Sequence, residues 1–249
     1  MKFINPPKKP PQGVLHKTFF SKAYDHKIGY NIYLPPGYSE SGENYPVAYH
    51  LHGWTDCEST HIWTLENICR GRQAITVFPN NSPVIEKHES LPVEHMIINE
   101  LMPHIDCEYR TNTAPGNRAI SGFSMGGGMA FYFAVKYHEL FRRVTAYAGT
   151  YHHYYHAGYS GVGEPAENAA ALYDEMVKKE QDLEEGSLLW MLRQNADKIR
   201  GNLQVDIRIG SKDILICDNE IMHLYLNSLK IPHEYMVVEG VGHELHKIL

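Results

Sequence analysis

A chain of 249 residues with 43% hydrophobic side chains fits one large α/β domain better than two small ones and can bury a substantial core. Its formal charge of −6, a pI near 6.2 and the lack of any polybasic run exclude partners chosen by positive charge, nucleic acid and anionic lipid among them. The charge balance thus predicts a small or uncharged substrate, and no apolar stretch is long enough to span a bilayer.

The N-terminal "MKFINPPKKPPQGVLHKTFF" lacks the apolar core and small-residue cleavage site of a signal peptide. As written, the chain reads as cytoplasmic, or as secreted if a signal has been removed. Residues 1–16, with prolines at 6, 7, 10 and 11, read as an irregular arm ahead of a single domain over 17–249. "KTFFSKAYDHKIGYNIYLPPGY" predicts two strands around a turn at Asp25-His26. "YPVAYHLHG" (45–53) and "AITVFPN" (74–80) are continuous apolar runs of the kind that form buried parallel strands. Met96, Ile97, Leu101 and Ile105 suit one face of a helix over 91–107.

"NRAISGF" is the next predicted strand, and "MGGGMAFYFAVKYHELF" the next helix. Strands at 142–149, 203–210 and 233–240 follow, separated by helices at about 187–199 and 217–229. This alternation predicts an α/β fold, with about eight strands in a mostly parallel sheet, antiparallel at its N-terminal end, and helices on both faces. The stretch 151–186 is the least regular and reads as an insertion over one end of the sheet. Cys57, Cys69, Cys107 and Cys217 form no CxxC pair and read as free thiols.

Gly122-Phe123-Ser124-Met125-Gly126 is a G-x-S-x-G sequence between a strand and a helix, the setting of a nucleophile elbow. A chain that reverses within one residue projects the Ser124 hydroxyl from the sheet edge, and side chains two before or two after it would collide with strand and helix. Gly127 and Gly128 read as small residues that let the helix start pack closely on neighbouring strands. A serine hydroxyl needs a base, itself oriented by a carboxylate, in the chain order Ser, Asp or Glu, His.

His243 in "VEGVGHELH" follows the last strand, with flexible glycines beside it, and is the expected base. His246 is the alternative, and His233 lies at the wrong end of its strand. Asp213, just past the strand ending at Gly210, is the expected orienting acid, whereas Asp218 is expected to cap the following helix. The oxyanion donors are expected to be the backbone N–H groups of Met125 and, from the loop "HLHGWTD", Trp54.

"YNIYLPPGYSESGENYPVAYHLHGW", "INELMPHIDCEYRT", "NRAISGFSMGGGMAFYFAVKYHELF" and "GSKDILICDN…GVGH" together resemble the esterase family of α/β-hydrolases. That family includes feruloyl and acetyl xylan esterases of carbohydrate esterase family one. The likeness runs from about residue 17 to 246, and the family's triad falls on Ser124, Asp213 and His243, its oxyanion hole on Trp54 and Met125. Relatives often follow the histidine with a tryptophan and a final helix, whereas this chain has Glu244-Leu245 and stops at Leu249, so the closing helix is expected to be short or missing. The related S-formylglutathione hydrolases usually carry a histidine where Phe123 stands.

"YHHYYHAGYSGVGEP" (151–165) places His152, His153 and His156 close together, but without the carboxylate or cysteine support of a zinc site. No metal and no cofactor are expected. Tyr151, His152 and Tyr154, with Trp54, are instead expected to line a pocket for an acyl or sugar group. The resemblance implies a serine esterase cleaving feruloyl or acetyl esters of plant carbohydrate. The alternatives are a general short-chain esterase, a thioesterase like S-formylglutathione hydrolase, an acyltransferase, or a catalytically silent relative that binds carbohydrate or protein.

Overall fold

In the computed structural model, which describes residues 2–64, 73–82, 93–114, 116–151, 161–178 and 185–249, contacts gather into two compact units, Met1–Ala119 and Ile120–Leu249. The first opens with the expected hairpin. β1 (Val14–Ser21) and β2 (His26–Tyr33) pair antiparallel from Val14↔Tyr33 to Ser21↔His26. Asp25 turns the chain at φ 50°, a left-handed conformation that aspartate tolerates better than most residues. β2 pairs antiparallel with β4 (Ile75–Pro79), which pairs parallel with β3 (Val47–Leu51), giving the order β1-β2-β4-β3. Every residue of β4 is buried, as its unbroken apolar run requires of a strand covered on both faces.

The N-terminal arm is shorter and better held than expected, because β1 starts at Val14. Phe3 stacks on His26 at 4.2 Å, and its carbonyl accepts the Gly29 N–H at 2.8 Å. The Asn5 side chain donates to the buried Glu58 carboxylate at 2.9 Å. The four prolines have no N–H to give, so the arm is fastened through residues that precede them. The helix expected over 91–107 begins at Val93–His95, widens to a π-helix over Met96–Leu101 and continues as α1 (Met102–Glu108). The wide stretch lies directly ahead of Pro103, which cannot donate to a preceding carbonyl. Glu100 on that stretch accepts the N–H groups of Lys22 and Ala23, 3.1 Å each, fixing the β1–β2 turn.

β5 (Arg118–Phe123) leads into the second unit and its elbow. There follow α2 (Met125–Lys136), β6 (Arg143–Tyr147), α3 (Ala169–Lys178) and α4 (Leu188–Asn202). β7 (Gln204–Gly210), α5 (Ile216–Ser228), β8 (His233–Val238) and α6 (Leu245–Ile248) complete it. β6, β7 and β8 are parallel neighbours. With eight strands, mostly parallel, and helices between them, the chain has an α/β fold.

α2 is buried nearly all round, which is why its sequence shows no polar stripe. α4 starts where Ser187 accepts the Trp190 N–H at 3.3 Å, a side-chain N-cap. The closing helix is present but short. α6 is four residues long, and its Leu245 and Ile248 are buried against Phe123, Tyr147, Ile209 and Leu215. Within the irregular stretch 151–186, the described residues include a 3-10 turn at Ala166–Asn168 and α3.

Candidate active site

Ser124 joins β5 to α2 at φ 55°, ψ −119°, a region that costs a non-glycine residue about 1–3 kcal/mol and persists only where the surroundings impose it. Here they do. Ser124 N–H donates to the Tyr147 carbonyl at 2.9 Å, and its own carbonyl accepts from Thr150 at 3.2 Å and from Gly128 at 3.1 Å. The elbow is thus tied to the end of β6 from both sides.

The glycines make this approach possible. A Cβ on Gly122 would stand 2.1 Å from the Gly126 carbonyl oxygen, and one on Gly128 would stand 2.2 Å from that of Thr150. Met125 opens the helix at the elbow, where the first amides have no intrahelical acceptor and carry the positive end of the helix dipole.

Asp213 and His243 come together on the loops that leave β7 and β8. His243 Nδ1 lies 2.8 Å from Asp213 Oδ2 and 3.0 Å from Oδ1. The Asp213 side chain is fully buried, while 30% of the His243 side chain is exposed. A carboxylate can only accept, so Nδ1 carries the proton and Nε2 is left with its lone pair. Asp213 Oδ1 also accepts the Leu215 N–H at 2.9 Å.

Gly210 lets the two loops cross. Lys212 N–H donates to Val241 O at 2.9 Å, and a Cβ on Gly210 would meet that oxygen at 2.1 Å. The Phe123 ring, next in sequence to Ser124, packs on the His243 ring at 4.5 Å between centroids. An imidazole held in one tautomer on a buried carboxylate is suited to accepting and returning a proton.

Three positioning residues escaped the sequence reading. Phe123 is one. The others are Asp218 and Asn219, both fully buried. Asp218 does not cap α5, because it lies in the third position of the helix, where its carboxylate accepts the Tyr151 N–H at 2.9 Å. Asn219 donates to the Gly149 carbonyl at 2.9 Å. Together they brace the turn that holds the elbow. An adjacent polar pair inside the apolar run "ILICDNEIM" was the available signal.

Of the remaining expected residues, Tyr151 is placed differently. Tyr151 is fully buried, with its ring against Phe131 at 5.2 Å, and presents no open surface to a ligand. His152 and Tyr154 lie outside the described residues, as do His153 and His156. Among the described residues no group of three or more His, Cys, Asp or Glu is arranged to hold a metal ion. Burial pushes the Cys217 thiol up to about 11, which makes it a poor nucleophile.

Trp54 belongs to the first unit, where 58% of its surface is exposed. Its loop is anchored at His52. The Asn81 side chain accepts the His52 N–H at 2.8 Å and donates to the His52 carbonyl at 3.1 Å. His52 Nδ1 donates to Gly53 O at 2.8 Å, so Nε2 accepts the Asn81 N–H at 3.1 Å. Burial holds its pKa below the usual histidine value, consistent with this neutral ring.

A family profile described as "Esterase: Putative esterase" matches residues 21–248. Esterase Rv1288 of Mycobacterium tuberculosis is 30% identical over 141 residues, covering 53% of this chain and 31% of that protein. An endo-1,4-beta-xylanase/feruloyl esterase of Xylanibacter ruminicola is 31% identical over 131 residues, covering 44% of this chain and 18% of that protein. The matched stretches thus span less than a third of these curated relatives. Among solved structures, a ferulic acid esterase superposes with TM-score 0.73 at 22% identity, covering 94% of this chain and 92% of the other. An S-formylglutathione hydrolase of Staphylococcus aureus gives 0.72 at 14% identity with the same coverage. The backbone fold therefore does not distinguish these two activities.

Proposed function

Because the chain belongs to the esterase family whose profile it matches over residues 21–248, we propose that it hydrolyses carboxylic esters through an acyl-enzyme formed on Ser124. The observation that carries this reading is the His243–Asp213 pair, 2.8 Å apart, on a ring that packs against the neighbour of a left-handed serine. Ser124 Oγ attacks the ester carbonyl as His243 Nε2 takes its proton. Asp213 keeps Nδ1 protonated and stabilises the imidazolium that results. The tetrahedral oxyanion is held by the Met125 amide at the helix start, and the sequence resemblance adds the Trp54 amide. His243 then gives its proton to the leaving alcohol, the acyl group stays on Ser124, and water, deprotonated by the same histidine, releases the acid.

The substrate class we propose is a feruloyl or acetyl ester of plant carbohydrate. Support comes from the motif resemblance and from the 31% identity to a protein named as a xylanase/feruloyl esterase. Phe123, standing where S-formylglutathione hydrolases usually carry histidine, weighs against the thioester. Ser124→Ala is expected to fold, to lose at least about 10⁴-fold in kcat on nitrophenyl acetate, and to escape fluorophosphonate labelling. Full activity in that variant overturns the assignment. A panel of methyl ferulate, acetylated xylan and S-formylglutathione then ranks the acyl and leaving groups.

A further inference from the structure

β6, β7 and β8 begin side by side in the second unit, and a cavity of about 400 Å³ opens at those beginnings. Ser124, Asp213 and His243 follow the opposite ends of such strands. The seven residues of β7 put the two edges about 20 Å apart. This cavity is therefore separate from the ester-cleaving groups.

Its lining is basic in a chain whose net charge is −6, since Arg142, Arg143 and Arg200 face two carboxylates, Asp206 and Glu234. Asp206 is already held by Arg208 at 2.9 Å, and Arg208 also feels the charge of Glu234. Arg200 pairs with the exposed Asp197, and its Nε donates to Leu229 O at 3.1 Å. Arg142 donates to the carbonyls of Gly201, at 3.2 Å, and Asn202 at the end of α4. Those carbonyls orient the guanidinium without neutralising it.

Arg143 differs from the other two. Its Nε is buried with no hydrogen-bond partner, and among the described residues neither Arg142 nor Arg143 has a carboxylate partner. A buried donor left unmade is costly, so the Arg143 guanidinium as a whole keeps an unmet demand for an acceptor. Guanidinium forks match phosphate oxygens in geometry as well as charge. A phosphate group supplies three acceptors and nearly two negative charges, which suits two uncompensated arginines better than a carboxylate does. The volume lies in the range of small-molecule sites, and Leu203, Val205 and Pro232 give part of the wall an apolar character.

We propose that this cavity is a second ligand site that takes a phosphate group, either inorganic or carried on a small organic monoester. The test uses the full chain, with inorganic phosphate and phenyl phosphate as probes against sodium chloride of equal ionic strength. Titration calorimetry and thermal unfolding are the readouts. Saturable binding with a raised unfolding midpoint is expected. Tighter binding of phenyl phosphate identifies a monoester as the occupant, and equal binding identifies phosphate itself; either result supports the site.

Among the described residues, Arg143→Gln removes no side-chain hydrogen bond that holds the fold. It is expected to weaken binding about tenfold or more, which is about 1.4 kcal/mol, while nitrophenyl acetate hydrolysis stays unchanged. The proposal fails if neither probe binds, or if Arg143→Gln binds as tightly as the unaltered chain.

Discussion

Gly128 and Gly201 occupy helices, where glycine is the poorer choice by about 0.5–1 kcal/mol relative to alanine. Their surroundings make them opposite cases. A Cβ on Gly128 would lie 2.2 Å from the Thr150 carbonyl, which belongs to the turn that holds Ser124, whereas one on Gly201 would meet nothing within 4 Å. Backbone cannot move aside as a flexible side chain can. Gly128→Ala is therefore expected to destabilise the fold by about 1–3 kcal/mol and to lower kcat. Gly201→Ala is expected to be neutral or slightly stabilising. Urea midpoints of the two variants decide this, and equal stability would remove the steric account of the glycine run. Gly128 thus gives up helix propensity for close approach.

At the scale of an element, the loop after β3 depends on one side chain from the end of β4. The Asn81 amide satisfies both the N–H and the carbonyl of His52, two buried peptide groups that water does not reach. Each such group left unpaired costs about 1–3 kcal/mol. Asn81→Ala is expected to lower stability by about 2 kcal/mol or more and to speed hydrogen exchange of the His52 amide. Unchanged exchange would show that the loop is held by other contacts. The loops bearing Asp213 and His243 are fastened differently, by crossing over Gly210. Their relative placement rests on backbone hydrogen bonds, on the Gly240 N–H given to Ser211 Oγ at 2.8 Å and on the absence of one side chain.

For the molecule as a whole, buried histidines set the response to acid. Burial lowers the pKa of His50 and of His52 below the ordinary histidine value, so both are neutral in the folded chain. The unfolded chain takes up protons near pH 6.5. Between that value and the lower folded ones the unfolded state binds more protons, so stability must fall as the pH falls. The loss is up to about 1.4 kcal/mol per pH unit for each of these two residues. His233 shifts in the same direction and adds a smaller share, being partly exposed. Asp56 moves the other way, but a lowered carboxylate loses its contribution only below the carboxylate range. Comparing urea midpoints at pH 7.5 and 5.5 therefore isolates the histidines. A midpoint that holds or rises at pH 5.5 would contradict this account.

The sequence by itself determined the order of the eight strands, the serine elbow and the choice of Asp213 and His243 as candidates, but not α3, which lies within the stretch read as irregular. Apolar runs, glycine spacing and chain order are local properties, and each element here is specified by its own residues. The family match follows from the same motifs. Tertiary structure alone decided that Asp218 braces a turn instead of capping a helix, that Tyr151 is core instead of pocket wall, and that arginines from two segments line one cavity. Each of these depends on what a side chain meets across the fold, and no spacing along the chain encodes that neighbour. The Asp213–His243 contact belongs to both levels: the chain order named the two residues, and the crossing over Gly210 brought them to 2.8 Å.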